Sequence, residues 1–205
     1  HDLGTPVMGH CRGSNSVRDA TISGFDLILH GTLMKPDALE AVVKRKIPIV
    51  PTFTFQANMI DYGHFVGAST YIKDLFRREI IDSAEMLRKA YDHGVPILCG
   101  SESGFSVTPY GQWHYREMEI LMKEMGFTAL EAIRSSTSVN AFAMRLEGEI
   151  GRIEEGAFAD LIIVSGDPIK DITSLGDLEN IKMIMKSGQI QKFEDEIDRL
   201  PIPGW

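Results

Sequence analysis

The run Phe25-Asp26-Leu27-Ile28-Leu29-His30-Gly31, followed by the helical pattern Lys35 to Lys46 and then Ile47-Pro48-Ile49-Val50, decides the fold class. Each short run is apolar almost throughout rather than alternating, the mark of parallel strands covered on both faces. Strand, helix and strand make one β-α-β unit, with Pro36 in the helix's first turn where its missing N–H costs nothing. Outward from this unit the pattern recurs. Upstream, Pro6-Val7-Met8-Gly9 reads as a strand and Ser16 to Ser23 as its helix. Downstream, a long loop over Gln56–Ser69 leads to a helical period from Tyr71 to His93, stopped by Gly94. Val95-Pro96-Ile97-Leu98-Cys99 is a fourth strand, with helices near Met118–Met125 and over Thr128–Arg145.

Repeated strand–helix units mean either an open doubly wound sheet or a closed barrel. Four units are visible, and a closed (β/α)8 barrel needs eight. The simplest expectation is an α/β chain whose residues 1–146 are the C-terminal half of a TIM-type barrel, strands five to eight. From Gly148 the texture changes. Turn glycines at Gly148, Gly151 and Gly156 precede the strand Leu161-Ile162-Ile163-Val164, and Ile181 to Met185 is another strand with Gly188 in the turn after it. Residues 147–205 therefore read as a small β appendage, with a polar tail from Gln191 expected to be loosely held.

The 205 residues are 43% hydrophobic and 24% charged, enough for a sizeable core, with net charge −8. No Lys/Arg run is present, which argues against nucleic acid or an anionic membrane surface as partner. No apolar stretch approaches the roughly 18 residues needed to cross a bilayer. Cys11 and Cys99 make no disulfide framework, and His1-Asp2-Leu3-Gly4 shows no secretory signal, so a cytoplasmic protein is expected.

Three potential metal ligands fall at the C-terminal ends of strands: His10, His30, and Glu102 in Gly100-Ser101-Glu102-Ser103-Gly104. That rim is where barrel enzymes keep their active sites. Two imidazoles and a carboxylate suit a divalent metal such as zinc, and a rim carboxylate also takes a proton from activated water. Taken singly, a strand-end histidine is more often structural and a glutamate in a Gly/Ser loop more often solvated. The coincidence at one end of three strands favours a metal site.

These residues resemble the amidohydrolase superfamily, close to its imidazolonepropionase-like and Xaa-Pro-dipeptidase-like members. His10 to Gly13 is similar to the fifth-strand histidine motif, the "I-x-H-G" of Ile28 to Gly31 to the sixth, and Val50-Pro51-Thr52 to the seventh. The run Gly126 to Ile133 is similar to a helix start, and Gly151 to Leu161 to "G-x-I-x-x-G-x-x-A-D-l", with Asp167-Pro168 beyond. The resemblance covers roughly residues 1 to 190. It implies a metal-dependent amidohydrolase with one or two divalent ions, zinc foremost, and His10, His30 and Glu102 as ligands. Glu102 would double as the catalytic proton carrier in hydrolysis of an amide, cyclic amide, urea or carbamate, or of a dipeptide. Two departures stand out. The family's eighth-strand residue is an aspartate, and the extra methylene of Glu102 moves its carboxylate by about 1.5 Å. The family's H-x-H pair and carboxylated lysine would lie upstream of His1.

Arg12 is a candidate for a substrate carboxylate, with a structural role equally open. Tyr110 and His114, in the loop beyond Glu102, are candidates for gripping substrate, against the alternative that Tyr110 and Trp113 pack the next helix. His64 falls in the long loop, and His93 belongs to a helix C-terminus. The expected partner is a small-molecule substrate, and the open edges and apolar face of a half-barrel point to self-association as a homo-oligomer. The reading from a different class is a truncated or degenerate member serving as a structural or interaction module. An unrelated open α/β binding module is weakened because no Gly-rich phosphate loop follows any strand.

Overall fold

Leu27, Ile28 and Leu29 open the central strand of a parallel sheet. A computed structural model describes residues 1–191. Strand β2 (Leu27–Thr32) lies between β1 (Met8–Arg12) and β3 (Ile49–Val50), both parallel to it. The register sets His10 beside Leu29, Cys11 beside His30, and Leu29 beside Val50. Ile97 adds a parallel bridge to Ile49. The expected fourth strand is thus reduced to one bridging residue. Pro96 offers only its carbonyl, which accepts from the Ile49 N–H at 2.9 Å, and having no N–H it cannot extend the ladder.

Helices fill the crossovers. Helix α1 (Ser14–Ile22) joins β1 to β2, and α2 (Pro36–Arg45) joins β2 to β3, ending on Lys46 in the left-handed conformation. After β3 come α3 (Phe53–Tyr62), a 3-10 turn over Gly63–Val66, and the long α4 (Thr70–Asp92). The loop expected over Gln56–Ser69 is therefore mostly helical. Beyond Ile97 follow α5 (His114–Met125), α6 (Ala129–Ser136) and α7 (Ser138–Ala143). The single helix expected from Thr128 to Arg145 is two, broken at Thr137 (φ −123°, ψ −95°). Thr128 and Glu131 form a reciprocal capping box at the start of α6.

Ile28, Ile49 and Ile97 are fully buried across the sheet and pack with Val17, Val42, Phe53, Leu87 and Leu121. Each such side chain contributes on the order of 1.5–3 kcal/mol by leaving water. The expectation of strands covered on both faces fails for β1, where Gly9 and Cys11 are buried but Met8 stands 59% exposed. No helix among the described residues is long and apolar enough to cross a membrane.

A second, antiparallel sheet contains β4 (Leu161–Val164), β5 (Ile181–Lys186) and β6 (Gln189–Gln191). Ser187 (φ +50°) and Gly188 (φ +78°) turn the chain between the last two, the two positive φ values that a tight hairpin needs. Ile172, buried against Met118 and Ala132, ties this part to α5 and α6. Residues 192–205, and with them most of the expected polar tail, lie outside the described residues.

Gly31 leaves no room for a side chain under the sheet. Its φ is +63°, and a Cβ there would meet Ile49 Cγ2 at 2.7 Å. Gly31→Ala is expected to cost about 1–3 kcal/mol of stability, read as a lowered midpoint in urea unfolding.

Candidate active site

The C-terminal ends of the parallel strands bring three side chains together. His10 projects from β1 and His30 from β2, and their rings meet edge to face with centroids 4.3 Å apart. His30 Nε2 lies 3.0 Å from His10 Nδ1 and 3.8 Å from Glu102 Oε1. Two nitrogens on one tetrahedral zinc stand about 3.4 Å apart, from bond lengths near 2.0–2.1 Å. The spacing therefore fits a shared cation, although among the described residues no set of three or more such side chains closes around one point.

The protonation of His30 follows from its neighbours. Thr52 Oγ1 donates its proton to the Pro51 carbonyl at 2.6 Å. It is then left to accept from His30 Nδ1–H, at 2.5 Å. This fixes the tautomer with the proton on Nδ1 and a lone pair on Nε2, which accepts from His10 Nδ1 at 3.0 Å and faces Glu102. Burial, helped by the charges of His10 and Arg12, depresses the His30 pKa to about 4, so the ring is neutral at pH 7. The 3.8 Å approach to Glu102 is consequently neither a hydrogen bond nor an ion pair. Burial raises the Glu102 carboxyl above the usual range, with Arg12 and His10 pulling it back down.

Backbone strain collects at the same place. His30 (φ +73°), Thr52 (φ +58°) and Glu102 (φ +52°) each occupy the left-handed region that non-glycine residues seldom adopt. Such residues persist where the surrounding structure holds them, and they cluster at functional sites.

Arg12, two residues beyond His10, is held from α4. Its Nη2 donates to both oxygens of Glu79, at 2.5 and 2.7 Å, and Gln56 Nε2 donates to the same carboxylate at 3.3 Å. Beside this cluster the Phe55 ring meets Phe76 and Phe105 edge to face, at 5.7 and 4.6 Å. Glu102 and Phe105 share a loop pinned by Val107, which is buried against Trp113 and takes a hydrogen bond from Asn58 at 2.8 Å.

Of the remaining candidates, Tyr110 folds its hydroxyl against Gly104 but is 80% exposed. His114 is the first residue of α5 and lines a cavity of about 300 Å³ with Ile162, Leu175 and Ile181, whose lining includes none of His10, His30 and Glu102. His64 stacks on Phe65, and His93 caps α4 through Nδ1 to the Lys89 carbonyl at 2.8 Å. Trp113 and Tyr115 pack face to face, the structural role weighed for the loop's aromatics.

Sequence reasoning passed over Glu79 and Glu117. Both sit in apolar helical stripes, Glu79 with Ile80, Ser83 and Leu87, Glu117 with Ile120 and Leu121. A carboxylate on the buried face of a helix was the available signal.

The sequence pattern of the amidohydrolase family matches residues 1–191. The chain belongs to that family. Among solved structures, a Xaa-Pro dipeptidase with methionine bound in its active site is 30% identical with a TM-score of 0.75, over 94% of this chain and 46% of its own. A prolidase complexed with N-methylphosphonate-L-proline is 25% identical with a TM-score of 0.80, over 94% of this chain and 46% of its own. Ochratoxinase from A. niger, at 19% identity and a TM-score of 0.77 over 92% of this chain and 42% of its own, shares the fold. This amidohydrolase chain thus spans less than half the length of these structures. No curated protein matches the sequence.

Glu117 yields a pH test. Burial pushes its carboxyl up to about 7, against the donors from Thr54 and Phe53 that favour the ionised form. The native state then keeps a proton that the unfolded chain has released, so this contribution is complete below about pH 4.5 and declines as pH rises to about 7. His30 runs the opposite way, its contribution falling as pH drops from 6.5 to about 4. Comparison with Glu117→Gln isolates the first effect. The variant's unfolding free energy should lack a fall of up to about 3 kcal/mol between pH 4.5 and 8, measured by urea titration.

Proposed function

We propose that this chain is the downstream half of a (β/α)8 barrel, residues 1–146, with a small β appendage from 147. In the complete protein it would serve a metal-dependent hydrolase of C–N bonds. The half-barrel reading is supported by the sequential parallel order β1-β2-β3 and by near-complete coverage of this chain against less than half of each structural relative. The observation that carries the function is the fixed Nε2 lone pair of His30, converging with His10 Nδ1 and the Glu102 carboxylate.

His10 and His30 would hold a divalent ion, zinc foremost, with Glu102 as a further ligand; one or two ions fit the family. Such an ion lowers the pKa of water and polarises the carbonyl under attack. The chain's own residues do the rest. His30 presents its lone pair without having to release a proton. Glu102, half-buried and raised in pKa, takes a proton on its carboxylate oxygen and returns it to the leaving nitrogen. Arg12 would meet a substrate carboxylate through Nη1, because Glu79 engages Nη2. Tyr110 and His114 are assigned to substrate contact on the sequence reading alone. An N-acyl amino acid or dipeptide with a free carboxylate fits Arg12, and prolidase and Xaa-Pro dipeptidase among the structural relatives favour the same class. A cytoplasmic setting is proposed because Cys11 and Cys99 fit a reducing compartment.

Stoichiometric zinc, measured by emission spectroscopy, should fall below about one tenth in His10→Ala and His30→Ala. A metal-free protein unchanged by both substitutions would support the non-catalytic, structural reading instead. In the full-length enzyme, Glu102→Gln should lower dipeptide hydrolysis by about 10²–10⁴-fold. Exposed Met8 on β1 and Ile162 and Ile163 on β4 favour self-association of the 205 residues, and sedimentation showing a well-behaved monomer would refute it.

A further inference from the structure

We propose that Glu117, on α5, is a positioning residue for His30, acting through the turn that carries Thr52. The inference rests on the reading of His30 as a metal ligand, and its geometry is independent of that reading.

Helix α3 begins at Phe53, so Thr52 occupies the N-cap. A threonine there ordinarily turns its hydroxyl onto the free N–H groups of the first helical turn. Thr52 does not: its side chain makes no capping bond, its backbone is left-handed at φ +58° and ψ +40°, and its hydroxyl is shared between the Pro51 carbonyl and His30 Nδ1. The first turn of α3 needs another acceptor, and Glu117 supplies it from 63 and 64 residues away in sequence. Its Oε1 accepts from the Phe53 N–H at 3.0 Å, and its Oε2 from the Thr54 N–H and the Thr54 hydroxyl, both at 2.7 Å. The side chain is fully buried. A carboxylate at a helix N-terminus is also favoured by the helix dipole.

Glu117 thus does the capping that Thr52 would otherwise do, and so frees the Thr52 hydroxyl for the histidine. Without it, the N–H groups of Phe53 and Thr54 are buried and unpaired, and the Thr52 hydroxyl is the acceptor within reach. Turning it inward removes the partner of His30 Nδ1, and with it the restraint on ring orientation and tautomer. Partners of this kind, one bond behind a ligand, typically change metal affinity 10–100-fold.

The test uses the whole chain with zinc as probe, by competition against a chelator, together with ¹⁵N imidazole shifts of His30 in the metal-free protein. In Glu117→Gln one donor–acceptor pair is mismatched. Zinc affinity should fall about 10–100-fold, and the His30 signal should move from the Nδ1–H tautomer toward a mixture. Thr52→Val should show the same loss, Thr52→Ser should restore it, and the Glu117→Gln/Thr52→Val pair should be no worse than Thr52→Val alone. A purely structural Glu117 would lower unfolding temperature while leaving tautomer and affinity unchanged, and that result overturns the proposal. If Glu117→Gln does not fold, Thr54→Val, which removes one of the three donors, should give a smaller tautomer shift; no shift there overturns it as well. If the wild-type chain binds no zinc, the metal reading fails, and the tautomer measurement still decides the role of Glu117.

Discussion

A parallel sheet delivers all its strands to the same rim, and at that rim the chain must turn out of the extended conformation. Here the turn is made at His30, Thr52 and Glu102, none of them a glycine. Each costs on the order of 1–3 kcal/mol. The closed layer beneath them opposes that cost: Ile28, Ile49 and Ile97 fill the sheet without exposure, and Gly31 and Gly100 are bare because Ile49 and Val50 occupy the space a Cβ would need. Strained backbone and close-packed core thus meet at adjacent residues, as at His30 and Gly31.

Most of the sheet and its crossovers were legible because apolar runs and Pro/Gly punctuation are local signals. Helix α2 ends within a residue of its expected bounds, and Leu161–Val164 is a strand over the range expected. Helix α3 was not legible, since Phe53-Thr54-Phe55-Gln56 has no periodic stripe and its cap comes from Glu117, far away in sequence. The fourth strand failed on one residue, Pro96. Within the site, the meeting of His10, His30 and Glu102 followed from strand order alone. What holds them did not: Thr52 lay inside a recognisable motif, but its bond to His30 depends on a backbone angle that sequence does not display.

Glu79 shows the same limit in electrostatic form. On sequence, Arg12, two residues after His10, was open equally to a substrate carboxylate and to a structural role. In the fold it is bound to Glu79, whose carboxylate also accepts from Gln56.

The pairing of Arg12 with Glu79 also bears on how a ligand arrives. Because the guanidinium is neutralised at contact distance, in a chain of net charge −8, it projects almost no attractive field into solvent. An anion near this rim would therefore feel little attraction from Arg12 at a distance. The net charge of −8 instead holds an anion off at low ionic strength, and added salt eases its approach by screening that repulsion. Discrimination between ligands falls to how long each one stays.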